Sequence, residues 1–123
     1  MSWTQFIDLL GTNITSAGIF RFDGESLAAT KDFSITPEET VKLLDMYNKG
    51  SAFLSETFTF KGVEYSILRA DSENIQMRYH SAGLMVSKCK SCFIFAYHTD
   101  RVQAQNCYEA VVHVADILRS YGY

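Results

Sequence analysis

Along the chain, the spacing of apolar residues alternates between helical and strand periods. Ser2 has Gln5 three residues on, and Trp3, Phe6, Ile7 and Leu10 follow at helical spacing. This predicts a short amphipathic helix opened by a capping box and ending near Gly11. Thr15 to Phe22 reads as a strand, Asp23-Gly24 as a two-residue hairpin turn, and Glu25 to Thr30 as the returning strand. Thr36-Pro37-Glu38-Glu39 starts a second helix, with threonine as cap, proline in the first turn and Glu39 placed to close a capping box. That helix is predicted to run to about Lys49 and stop at Gly50, burying Val41, Leu44 and Tyr47, with Leu43 and Met46 widening the apolar face.

From Thr57 to His98 the pattern turns to short β-rich runs: TFTF, VEYSILRA, IQMRYH, LMVSK and CFIFAYH. They are separated by Lys61-Gly62, Asp71 to Asn74, Ser81 to Gly83 and Cys89 to Ser91. Connections this short pair neighbouring strands antiparallel. The closing segment has Asp100 three residues before Gln103. Ala104, Cys107, Val111, Val114, Ala115 and Leu118 then share one helical face, with Gly122 just past the end. Helix, hairpin, helix, antiparallel strands and helix make an α+β domain, one central sheet covered by helices.

Length and composition sharpen this. With 123 residues, 47% hydrophobic, 20% charged and a single proline, the chain fits one globular domain. A net charge of −3 argues against nucleic-acid binding driven by phosphate neutralisation. No apolar run is long enough to cross a bilayer, and MSWTQF lacks the make-up of a secretory leader. Three cysteines, an odd number, fit a reducing compartment, so a cytosolic location is expected and the Asn13-Ile14-Thr15 sequon is expected to stay unmodified.

Catalytic signals are lacking. Cys89-Lys90-Ser91-Cys92 is a CxxC with no second pair to complete a zinc site, and it lies between strands rather than at a helix start as in redox dithiols. It reads as ordinary turn and strand residues. His80, His98 and His113 belong to no nucleophile or metal motif, and no Gly-rich phosphate loop opens a helix. Neither an enzyme nor a cofactor is expected. Binding is the better prospect. Trp3 and Phe6 at one end and Tyr121 and Tyr123 at the other point to terminal helices lying together with an aromatic surface. Arg69, Arg78, Lys88 and Lys90 fall in the strand-rich half, and alternation sets Arg78 and His80 opposite Ile75, Met77 and Tyr79. Spaced cations on a sheet face suit an acidic protein or a lipid headgroup.

Taken together, the start MSW, the DG hairpin, FKGVEYSILRAD and the ending NCYEAVVHVADILRSYGY resemble a profilin over nearly the whole chain. The resemblance implies a profilin-like fold: a central antiparallel β-sheet, N- and C-terminal helices packed on one face, and a helical segment on the other. It implies a monomeric, cytoplasmic, cytoskeletal protein that binds monomeric actin, regulates its polymerisation, and engages proline-rich proteins such as formins and anionic phosphoinositides. Carried over by position, the actin face comprises Ile67, Arg69, Arg78, His80, Gln105, Asn106, Tyr108 and Glu109. His80 and Glu64 stand where lysine is frequent in the family, which weakens the electrostatic part of that contact. The poly-proline groove comprises Trp3, Phe6, Leu27, Ile117, Leu118 and Tyr123, and the phosphoinositide set Arg69, Arg78, Lys88 and Lys90.

Leu27 replaces a usual tryptophan and Ile117 a usual His or Tyr. The lost ring stacking and hydrogen bond remove about 1 to 3 kcal/mol, so weakened or altered proline recognition is expected. Two other readings remain: a profilin-fold phosphoinositide adaptor at membranes without productive actin binding, and a longin-like or roadblock-like dimeric trafficking scaffold.

Overall fold

The computed structural model describes residues 2–49 and 56–123. Among the described residues three helices, α1 (Trp3–Asp8), α2 (Pro37–Asn48) and α3 (Ala104–Ser120), flank seven strands. The strands are β1 (Ser16–Arg21), β2 (Ser26–Ala29), β3 (Thr57–Phe60), β4 (Val63–Ala70), β5 (Asn74–Tyr79), β6 (Ala82–Lys88) and β7 (Cys92–His98). All neighbours in the order β2-β1-β7-β6-β5-β4-β3 pair antiparallel.

Both expected capping boxes form. The Gln5 amide donates to Ser2 Oγ at 3.3 Å and the Ser2 amide to Gln5 Oε1 at 2.7 Å. The Thr36 and Glu39 pair closes the same way at 2.8 and 3.1 Å, fixing where α2 begins. The expected stop of α2 at Gly50 lies outside the described residues. Lys61 and Gly62 take the left-handed conformation, with φ of 52° and 77°, and join β3 to β4 in the tight form whose twist suits a hairpin.

Strand alternation sorts the core into two layers. Phe20, Phe58, Ile75, Met77, Leu84, Phe93 and Phe95 face α2, whereas Ile19, Met85, Ile94 and Ala96 face Phe6, Val111, Val114 and Leu118 of α1 and α3. The terminal helices therefore share one face and α2 takes the other.

Two local expectations are corrected. The Asp23-Gly24 turn is a three-residue loop, because Arg21 accepts from the Gly24 amide at 3.0 Å and donates to the Glu25 carbonyl at 2.8 Å, with Gly24 at φ 94°. The buried face of α2 is Thr40, Leu43 and Met46, and Val41 is exposed. Thr40 can be buried because its hydroxyl donates to the Pro37 carbonyl at 2.8 Å. Asp100 lies ahead of α3. The cap is Gln103, without a side-chain bond, while Asp100 sits in a turn closed by the Val102 amide on the Thr99 carbonyl.

Candidate functional site

A single irregularity in β4 builds one end of the sheet. Ser66 opposes Arg78 and Ile67 opposes Met77, but Arg69 rather than Leu68 opposes Gln76. The slip is a β-bulge, and it turns Arg69 from the α2 face to the α3 face. There the Arg69 guanidinium donates to Gln76 Oε1 at 2.7 Å and to Gln105 Oε1 at 3.0 Å, and it lies 3.7 Å from the centre of the Tyr108 ring. Gln105 in turn donates to Glu109 at 3.0 Å. One arginine thus ties β4, β5 and the first turns of α3 into a continuous exposed platform. Arg78, two residues from Gln76 along β5, shares that face.

Beside Arg78 the platform dips into a hollow of about 390 Å³ lined by Leu68, His98, Asp100, Val102 and Ala104, among others. Gly83 makes room for the His98 ring that lines it. A Cβ there would stand 2.4 Å from His98 Nε2, so glycine is what lets the imidazole lie across β6.

Of the carried-over actin residues, Arg69, Arg78, Gln105, Asn106, Tyr108 and Glu109 lie on this end of the molecule, all at least partly exposed. Ile67 does not join them: its side chain is 9% exposed and packs in the α2-side core. Leu68, 51% exposed at the bulge, takes its place, and its signal was an apolar residue at an outward strand position. His80 is not on the strand face either. It occupies the two-residue turn between β5 and β6, at φ 54°, where its carbonyl accepts from Arg78 Nε.

The four cations of the phosphoinositide set do not converge. Arg78 is opposite Gly83 at one end of β6, and Lys88 ends the other, roughly 17 Å away at about 3.3 Å per residue. Lys88 also lies over Phe22, 5.4 Å from its ring, and Lys90 is in the β6–β7 turn.

The second surface lies where the chain ends meet. Trp3 and Tyr123 have ring centres 4.5 Å apart, Trp3 and Phe6 6.1 Å, and Phe6 and Tyr121 5.7 Å. Gly122, at φ 91°, reverses the chain after α3, and the Tyr123 amide donates to the Leu118 carbonyl at 3.0 Å. The reversal is a Schellman ending, and it sets Tyr121 and Tyr123 on either side of Gly122 with both rings against Phe6. Leu27 and Ile117 pack partly buried against the same cluster. Two assigned groove residues are its floor rather than its surface: Phe6 is 1% exposed and Leu118 fully covered. Tyr121, 56% exposed, is an exposed ring that the positional carry-over omitted.

A family model, Profilin, matches residues 1–123. The chain belongs to the profilin family. It is 29% identical over 126 residues to profilin-1B of Acanthamoeba castellanii, with all of both chains covered. The solved structure of profilin IB from that organism superimposes at a TM-score of 0.88, with 28% identity over 99% of this chain and 100% of the other. More distant profilins share the fold. A complex of LokiProfilin2 with rabbit actin matches at 0.76 with 17% identity, covering 94% of this chain and 93% of that one. Mouse profilin IIa bound to a double repeat from the FH1 domain of mDia1 matches at 0.78 with 19% identity over the whole of both chains.

No group of three or more metal-binding side chains occurs among the described residues. All three cysteines are free and buried. Cys89 and Cys92 face each other across the hairpin, the Cys89 amide donating to the Cys92 carbonyl at 2.8 Å. The hydrogen bond between the thiols raises the Cys89 pKa, with burial adding to it, and lowers that of Cys92. No described helix is long and apolar enough to cross a membrane.

Proposed function

We propose that this profilin binds monomeric actin through the platform of Arg69, Arg78, Leu68, Gln105, Tyr108 and Glu109, and so regulates actin polymerisation in the cytoplasm. The observation that carries the reading is the Arg69–Tyr108 contact at 3.7 Å, which joins the late sheet to the start of α3 as one rigid, exposed surface. Such a surface suits a globular partner, because its side chains are already held in place and little ordering entropy is lost on docking. Family membership supports the same partner, as does the actin complex of a fold relative.

The aromatic cluster of Trp3, Tyr121 and Tyr123 is read as a groove for proline-rich segments such as formin repeats. Flat rings favour the stiff polyproline II helix. Aliphatic Leu27 and Ile117 leave that groove weaker than one lined with rings throughout.

The actin reading is preferred over the membrane-adaptor reading, because an anionic headgroup needs cations within a few ångströms of one another, and Lys88 and Lys90 stand apart from Arg69 and Arg78. Phosphoinositide binding is thereby confined to the Arg69 and Arg78 pair, where it competes with actin. The longin-like and roadblock-like scaffold reading has no support from the family match.

A titration against monomeric actin tests the assignment. Saturable binding that slows spontaneous assembly of pyrene-labelled actin is expected, and Arg78→Glu should weaken it while leaving the fold intact. If the chain pelleted with phosphoinositide vesicles yet failed to alter actin assembly, the adaptor reading would replace this one.

A further inference from the structure

On the α2-side face of the sheet, beyond the reach of α2 itself, lies an open cavity of about 380 Å³. That is within the size range of small-molecule pockets. It lies on the sheet face opposite α1 and α3, away from both the platform and the terminal groove.

Its walls are aromatic. Phe33 stacks on Phe60 with ring centres 5.5 Å apart and planes 26° from parallel, and Val63, Tyr65 and Tyr97 complete the lining. Tyr65 is only 4% exposed and Ser16 only 6%, yet among the described residues neither side-chain hydroxyl makes a hydrogen bond to the protein. Neither hydroxyl is sealed from solvent, and both residues line the hollow. Buried hydroxyls ordinarily find partners, and a pair left open inside an apolar cavity marks where a ligand's polar atom would bond. Burial, and then the neighbouring Tyr97 and Tyr79, hold the Tyr65 phenol protonated, so it stays a donor.

The mouth sets the charge. Lys61 reaches across it, its ammonium donating to the Asp32 carbonyl at 2.8 Å, and Asp32 itself lines the opening. One cation beside one carboxylate leaves no net field to select an ion.

From these features we infer that the cavity bounded by Phe33, Phe60, Val63, Tyr65, Tyr97 and Ser16 is a binding site for an uncharged planar molecule of one or two fused aromatic rings bearing a hydroxyl or carbonyl group. The rings lie against Phe33, Phe60 and Val63, and the polar group exchanges hydrogen bonds with the Tyr65 and Ser16 hydroxyls. The site is independent of actin and of proline-rich ligands.

The test is a protein-observed NMR titration of the full chain with 2-naphthol. Saturable shifts are expected at Thr15, Ser16, Lys61 and Val63, with Trp3 and Tyr123 unmoved, and with a dissociation constant between about 0.1 and 1 mM for so small a ligand. Two variants sharpen it. Val63→Trp fills the hollow and should abolish the shifts. Tyr65→Phe keeps the volume but removes a hydroxyl, and should weaken 2-naphthol about fivefold while its own spectrum certifies the fold. Absence of saturable shifts up to 2-naphthol's solubility overturns the inference, as do shifts confined to Trp3 and Tyr123, or an affinity untouched by Tyr65→Phe.

Discussion

The amide and the hydroxyl of Ser91 both donate to the main-chain oxygen of Tyr123, at 2.6 and 3.1 Å. A turn between two strands thereby holds the last ring of the aromatic groove against Trp3. Because the amide bond persists when the hydroxyl is removed, Ser91→Ala should leave the thermal midpoint close to wild type. It should loosen Tyr123 and lower decaproline affinity roughly threefold, about one net hydrogen bond's worth. Trp3 fluorescence during a decaproline titration reads the change, since Trp3 contacts Tyr123 directly. A wild-type affinity in the variant would separate the turn from the groove.

Arg69 offers a sharper test of the platform. Its guanidinium makes two hydrogen bonds and covers a ring at once, which a lysine ammonium cannot reproduce. Arg69→Lys keeps the charge, so it separates geometry from electrostatics. Actin affinity is expected to fall about tenfold, with urea stability changed by less than about 1 kcal/mol because the group is exposed. If Arg69→Lys bound actin as wild type does, charge alone would account for the contact and the preformed surface would be unnecessary.

The strands of the sheet were legible because each alternating run is bounded by a turn whose chemistry is local. Lys61-Gly62 and the two capping boxes are read from four residues or fewer. The misreadings share a different cause. Leu44 and Tyr47 do pack against the core, but Val41 is exposed and its place on that face goes to Thr40, because a threonine bonded to its own helix can be hidden where polarity alone would not place it. The bulge at Leu68 shows in VEYSILRA only as one apolar residue and one arginine out of phase near the strand end, too little to fix that Arg69 turns toward α3. Nor does sequence proximity reveal that Lys88 and Arg78 lie at opposite ends of paired strands. Tyr121 was legible as part of the terminal aromatic surface and is missing only from the groove set carried over by position, although Gly122 after a helix announces a chain reversal that returns both flanking residues to the helix side.

Leu27 invites a gain-of-function experiment. It sits half-buried on β2, packed against the same cluster as Trp3 and Ile117. Leu27→Trp supplies the flat ring that a proline segment stacks on, and decaproline affinity should rise by about tenfold or more, the equivalent of roughly 1 to 3 kcal/mol. The same substitution should leave actin binding unchanged, because β2 and β4 are near opposite edges of the sheet. Isothermal titration of both ligands checks the pair. An unchanged proline affinity would mean that position 27 lies outside the ligand's path.

Cys107 gives the fold a signature at alkaline pH. Burial alone pushes its thiol up to about 12 from an ordinary value of 9.0. With the folded-state pKa raised, the native chain retains a proton that the unfolded chain gives up, so this contribution is whole below pH 9 and is lost as pH climbs toward 12. Urea midpoints should therefore decline between pH 9 and 10.5. Cys107→Ala removes the titrating group while keeping a small apolar side chain in the α3 core, so its decline over the same range should be shallower than wild type, though the variant starts less stable. Parallel slopes for the two proteins would assign the alkaline loss instead to Cys89, Tyr47 and Tyr65, whose pKa values are also raised.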